Sequence, residues 1–188
     1  MIHLGMGAVI LEKPENVMYF TGFNPVLNSM PVFFIMEQDS EPILLVHCLR
    51  MNHAREESCI KRIETYGMWG DVPSLAKEPA EAIRLLLGKC QGHLGLETEY
   101  ISFVRYKNIL QKIKPKGIQS ISFILDHHKL VKDPYEISRI RRSAELVDVG
   151  VKTTIDFLGQ GYSEAEACTE GQYAMRKLWH KKFRDSEV

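Results

Sequence analysis

The chain has 188 residues, 45% hydrophobic and 26% charged, the composition of a globular protein with a packed core and not of a disordered or fibrous one. Lys plus Arg and Asp plus Glu balance at 24 each, so no net field exists to draw in nucleic acid or anionic lipid. Cys48, Cys59, Cys90 and Cys168 form no C-x-x-C pair, no apolar run reaches the roughly 20 residues of a membrane span, and no basic segment precedes a signal-like core. Reduced thiols, a cytoplasmic location and no membrane or nucleic-acid partner are the expectation.

In chain order, residues 8–11 read as a first strand. Residues 14–23 read as a short helical turn leaving it, closed by Gly22, because a left-handed residue at a helix C-terminus costs least as glycine. Tyr19, Phe20 and Phe23 then pack under the sheet edge. Residues 32–36 and Ile43–His47 are apolar runs separated by Asp39, Ser40, Glu41 and Pro42, the turn chemistry of a hairpin. Further strands are expected at 61–66, 93–97 and 119–125, the last from Ile121, Phe123 and Leu125 at period two. Helices alternate with them: residues 80–87 stop at Gly88, and Phe103–Ile113 aligns Phe103, Tyr106, Leu110 and Ile113 on one face. A hairpin followed by helix-separated strands predicts an α/β fold with a mixed six-stranded sheet flanked by helices.

Beyond residue 125 the pattern changes. Asp133, Pro134 and Glu136 place a cap, a proline at the first helical position and a carboxylate able to reach back to the cap backbone. Ile137, Ile140, Ala144, Val147, Val151, Ile155 and Leu158 then recur every three or four residues up to Gly159 and Gly161, about 37 Å of amphipathic helix at ~1.5 Å per residue. Ser163 and Glu166 open another helix that runs to about residue 178. No strand follows these two helices, so they are expected to begin a second, incomplete domain. The division is 1–130 and 131–188.

Motifs that carry chemistry are sparse. Asp126-His127-His128 resembles the DHH signature of metal-dependent phosphoesterases, but such a site needs companion ligands from other strands and none is evident. There is no G-x-S-x-G elbow. Cys48 and Cys168 sit in apolar patterns and read as buried, inert thiols. Gly5-Met6-Gly7 precedes the first strand and is no phosphate loop. The basic run from Lys177 to Arg184 suits a helix C-terminus.

Two segments resemble a known family. Pro14-Glu15-Asn16-Val17-Met18-Tyr19-Phe20-Thr21-Gly22-Phe23 is similar to the P-E-N-V-x-Y-L-T-G-F segment of creatinase N-terminal domains, with Phe20 where Leu is usual. Leu130 to Ile137, with Ile140-Arg141-Arg142-Ser143-Ala144, resembles that family's entry into its catalytic domain. Leu96-Glu97 matches its G-x-E strand end, and Gly161-Tyr162-Ser163-Glu164 its G-x-S/T-E helix start.

The resemblance to the creatinase, prolidase and aminopeptidase P family implies an N-terminal mixed sheet followed by the first helices of a truncated pita-bread catalytic domain. Asn16, Tyr19, Gly22, Phe23, Asp133, Pro134 and Glu136 carry the motifs structurally. Full-length relatives hydrolyse Xaa-Pro peptides with two divalent ions (manganese, cobalt or zinc) held by two Asp, one His and two Glu. None of those five ligands can be matched here, so no cofactor and no peptidase activity are expected of this chain alone. The implied role is a non-catalytic one, homodimerisation and shaping of an active-site rim through the loop at residues 24–30, where Asn24, Asn28 and Ser29 are polar enough to line a wet entrance. Alternatives are a pseudo-peptidase module that binds protein partners and a DHH-type phosphoesterase. Replacing Asn28 in the full-length parent should alter KM if the loop is a rim.

Overall fold

The computed structural model describes residues 5–25, 30–88, 90 and 92–183. Alternation builds its sheet. Along β1 (Met6–Leu11), Ala8 and Ile10 enter one buried cluster while Met6, Val9 and Leu11 enter the other. From Ala8 onward the period of two serves two cores, one on each face, and a register shift between Met6 and Ala8 moves Met6 to the face of Val9 and Leu11. β2 (Phe33–Glu37) and β3 (Ile43–His47) form the expected hairpin, with Phe34 opposite Leu44. β4 (Arg62–Tyr66), β5 (His93–Leu96) and β6 (Gly117–Ser120) complete a six-stranded sheet of order β4-β3-β2-β1-β5-β6. β1 and β3 each lie antiparallel to β2, while β3/β4, β1/β5 and β5/β6 are parallel. It follows that β2 alone runs against the other five, so five strands deliver their carboxyl ends to one edge.

Helices cover both faces. α3 (Pro79–Leu87) and α4 (Phe103–Ile113) supply Ile83, Leu87, Ile109 and Ile113 to the cluster that holds Ile10, Phe33, Ile35 and Leu94. α1 (Pro14–Thr21) and α2 (Met51–Glu57) contribute Val17 and Ala54 to the opposite cluster, with Phe23, Phe34 and Leu44. Burying each large side chain contributes about 1.5–3 kcal/mol, and the two clusters together outweigh any single polar contact. Glu81 links the two covering helices: its carboxylate lies 2.7 Å from Arg84 and 2.9 Å from Lys112 of α4. Those hydrogen bonds, Arg84 first and then Lys112, pull the Glu81 carboxyl down to about 2.

Three local expectations change. β6 covers Gly117–Ser120 only, and the chain then enters α5 (Ser122–Leu130), where the Leu125 amide donates to Ile121 O at 3.0 Å. Ile121 and Leu125, four apart, satisfy a helix as well as a strand, which is the ambiguity of any short apolar run. Phe123, expected on one strand face with Ile121 and Leu125, is 80% exposed. On α4 the inward positions are Ile109 and Ile113 with Tyr106 beside them, whereas Phe103 in the first turn is 72% exposed and carries Lys107 Nζ over its ring at 5.2 Å. Cys48 is buried as expected, but Cys168 is exposed, because α7 (Glu164–Lys182) buries only the small faces of Ala167 and Gly171.

The chain divides into two compact units, Met1–His128 and Lys129–Val188. In the second, α6 (Pro134–Gly159) and α7 form an antiparallel hairpin whose contacts pair Glu145 with Lys182, Gly150 with Met175 and Thr154 with Gly171. Ile140, Val147, Val151 and Ile155 of the predicted stripe are exposed. Both capping boxes are present. The Glu136 amide donates to Asp133 Oδ1 at 2.8 Å and the Asp133 amide to Glu136 Oε2 at 2.7 Å, with Pro134 at the first position. Asp133→Ala is expected to destabilise α6 by about 1 kcal/mol, read as faster amide exchange across its first two turns. Unchanged exchange there would discount the cap. Among the described residues no helix is long and apolar enough to cross a membrane.

Candidate functional site

In open α/β sheets, ligands and functional loops gather at the carboxyl ends of the strands. Here that edge carries the residues that follow β1, β5 and β3, namely Glu12, Glu97 and Cys48, together with the helices that leave them. The parallel pairing of β1 with β5 sets Ile10 beside Leu96, so Glu97, one residue further, emerges next to the start of α1. Its carboxylate accepts the backbone N–H of Glu12 at 2.6 Å and of Lys13 at 2.8 Å through Oε2, and the side-chain amide of Asn16 through Oε1. Glu97 and Asn16 are both 3% exposed. Lys13, the residue at the N-cap of α1, makes no side-chain cap of its own. Glu97 therefore supplies from a neighbouring strand the acceptors and the negative charge that a helix N-terminus needs.

At the other end of α1 the Thr-Gly-Phe step turns the chain. Gly22 adopts φ 72°, and it is this left-handed conformation that calls for glycine, since a Cβ there would make only an ordinary contact, 3.4 Å from Glu57 O. Thr21, fully buried, donates through Oγ1 to Val17 O at 2.7 Å and accepts the Phe23 amide at 3.0 Å. Its own carbonyl accepts from the Cys59 amide at 2.8 Å and Ser58 Oγ at 3.0 Å. Phe23 is buried against His53, ring centroids 4.9 Å apart.

Asn24 follows, held by backbone from both sides. Its amide donates to Glu57 Oε2 at 2.9 Å, and its carbonyl accepts from Arg50 Nη2 at 3.5 Å. His53 stands between these anchors, Nδ1 lying 2.7 Å from Arg50 Nη2 and Nε2 lying 3.1 Å from Glu57 Oε2. Arginine can only donate, so Nδ1 accepts and the ring proton sits on Nε2, facing the carboxylate. Arg50 also lies over the Phe23 ring at 5.4 Å, a cation–π contact. Arg50, His53 and Glu57 thus form a relay along one side of α2 that fixes the root of the loop.

Of the residues singled out from the sequence, Asn24 occupies this anchored root, while Asn28 and Ser29 lie outside the described residues. Asn16 and Gly22 are placed as the motif requires. Tyr19, expected under the sheet edge, is instead 41% exposed beside His128, while Phe20 stacks on Phe34 at 5.7 Å and Phe23 is fully buried. The reason is helical: α1 turns Val17 and Thr21 inward, and Tyr19 falls between them on the outer side. Asp126, His127 and His128 lie on α5 and are exposed. Among the described residues no three His, Cys, Asp or Glu side chains are grouped so as to hold a metal ion. The described residues therefore do not fit a dinuclear centre.

Sequence reasoning missed the α2 relay. Residues 51–57 bury only Ala54, so they show no apolar period; the i, i+4 spacing of His53 and Glu57 was the signal available. It also missed the Glu12–Arg105 ion pair, whose members sit in different elements at a separation no local pattern records.

Comparison with known proteins places this geometry. The family model described as the Creatinase/Prolidase N-terminal domain matches residues 1–128. The Xaa-Pro dipeptidase of Pyrococcus furiosus is 24% identical over 168 residues, covering 89% of this chain and 43% of that protein. Among solved structures, the prolidase from Pyrococcus furiosus aligns with a TM-score of 0.73 and 26% identity, over 92% of this chain and 48% of the other. The Creatinase/Prolidase N-terminal domain of an X-Pro dipeptidase from Streptococcus pyogenes aligns with a TM-score of 0.53 and 14% identity, over 65% of this chain and 87% of that one, a likeness of fold. The chain spans about half the length of the curated relatives it matches. A family-model match over residues 1–128, on a mixed six-stranded sheet whose Glu97–Asn16 clamp and Thr-Gly-Phe turn hold the motif residues, shows that the chain belongs to the Creatinase/Prolidase N-terminal domain family.

Proposed function

We propose that this chain is the non-catalytic N-terminal domain, with the opening helices of the following domain, of a cytoplasmic Xaa-Pro dipeptidase or aminopeptidase. It supports catalysis by dimerising the parent and by holding the loop at residues 24–30 at an active-site rim. The observation that carries the reading is the two-sided backbone anchorage of Asn24 by Glu57 and Arg50 within a domain whose family model is that of prolidase N-termini. A loop that served only as a connector would need no such fixed root. The exposed stripe of α6 belongs, on this reading, against the rest of the parent, which supplies two divalent ions and their ligands.

Two measurements test it. The purified chain, given manganese, cobalt or zinc, is expected to leave Xaa-Pro dipeptides intact, and metal-dependent cleavage would refute a supporting role. In the full-length parent, Glu57→Ala releases the Asn24 amide and is expected to raise KM about threefold to tenfold, the kinetic equivalent of roughly 0.6–1.4 kcal/mol, with a smaller change in kcat. Unchanged KM together with an unchanged fold would remove the rim assignment.

A further inference from the structure

At the carboxyl end of β1, Glu12 is 8% exposed and lines a cavity of about 280 Å³. One of its oxygens, Oε1, is ion-paired with Nη1 of Arg105, and the other, Oε2, is buried with no hydrogen-bond partner. A carboxylate oxygen deprived of both water and donor is costly, far more so than a neutral acceptor. Beside it, among the described residues, the Arg105 guanidinium makes no side-chain hydrogen bond or ion pair other than that one and so keeps N–H groups to donate. Arg105 also walls the cavity, its side chain 28% exposed. Tyr100 and Ser102 add hydroxyls at the mouth, and Pro14, Pro25, Pro31 and Val32 supply an apolar lining.

We infer that this cavity is a binding site for a small zwitterion of the α-amino acid class. The ligand ammonium donates to Glu12 Oε2, its carboxylate accepts from Arg105, and its short side chain rests on the proline rings. Opposite charges set side by side, one with an unmet acceptor and one with unmet donors, match a molecule that carries both complements on one carbon. A cation alone would be repelled by Arg105 and an anion alone by Glu12. The volume suits a ligand of amino-acid size and excludes a peptide of several residues. Pro25 and Met30 also border the cavity. The site itself stands on Glu12 and Arg105, whether or not the parent is a peptidase.

The test is titration of the purified chain with glycine, L-alanine and L-proline, followed by NMR at Tyr100, Ser102 and Arg105, with methylammonium and acetate as half-ligands. Saturable shifts with dissociation constants on the order of 1 mM are expected for the zwitterions, and neither half-ligand should approach them. Glu12→Gln should weaken binding about tenfold or more. Arg105→Gln should do the same, and serves should Glu12→Gln fail to fold by circular dichroism. Absence of saturable shifts up to roughly 100 mM, or equal affinity in both folded variants, would mean that a buried water completes Glu12, and would overturn the site. Equal binding of methylammonium would overturn the zwitterion class.

Discussion

Glu97→Ala is expected to lower the stability of the N-terminal unit by about 3–5 kcal/mol, enough to abolish most of the margin of an ordinary domain. The substitution leaves three donors without their acceptor at once: the Glu12 and Lys13 amides and the Asn16 side chain. With Asn16 at 3% exposure and Glu12 at 8%, water cannot replace the carboxylate without opening the edge of the sheet. It also removes an anion that supplies acceptors to the N-terminus of α1 in place of a side-chain cap. Glu97→Gln separates the two contributions. The amide keeps the shape and one acceptor, but its NH2 must face either the backbone N–H pair or Asn16, donor against donor. An intermediate cost of about 2 kcal/mol is expected. Denaturant midpoints followed by Trp69 fluorescence, with amide exchange at Glu12 and Lys13, measure both. Equal stability of Glu97→Ala and the parent sequence would show that the clamp contributes nothing net.

The Glu97 result bears on what a sequence can reveal. Strands β1, β2 and β3 were legible because each is buried on both faces, one cluster to a face, leaving continuous apolar runs between turn residues. Asp133 and Ser163 were legible because a capping box is contained within four residues. The clamp was half legible. The motif drew attention to Asn16 and to Leu96-Glu97, but nothing local links residues 81 positions apart; the parallel register of β1 and β5 creates that contact. The α2 relay lacked even the motif, since a helix whose single buried residue is Ala54 shows no period. Strand β6 was misread beyond Ser120 because Ile121 and Leu125 serve a helix turn as readily as a strand face. Burial of polar partners and the choice between two compatible periods are tertiary decisions, and those were the ones the chain's pattern left open.

The second large effect is expected in the helical hairpin, from Gly171→Val. A Cβ at Gly171 would overlap Thr154 Oγ1 and come within 2.9 Å of Gly150 O. Neither neighbour can give way easily. Thr154 is β-branched and its hydroxyl already donates to Gly150 O at 3.0 Å, while the carbonyl belongs to the backbone of α6. Valine must therefore force α6 and α7 apart, an overpacking cost of about 2–3 kcal/mol. Gly150→Ala is the control. Its Cβ would meet Met175 Cγ and Sδ at 2.7 Å, atoms of an unbranched side chain that can rotate aside. Alanine's gain in helix propensity, up to about 1 kcal/mol, offsets that adjustment. Hydrogen exchange across α6 and α7 should accelerate in Gly171→Val and stay near the original rate in Gly150→Ala. Were the two variants to behave alike, the hairpin would owe its geometry to its turn at Gly161 and not to the close approach of Gly150 and Gly171. The asymmetry matters for function because this hairpin presents the exposed row of Ile140, Val147, Val151 and Ile155. On the proposed reading, in which that row packs against the rest of a longer protein, a change in helix separation would rotate it and spoil the fit.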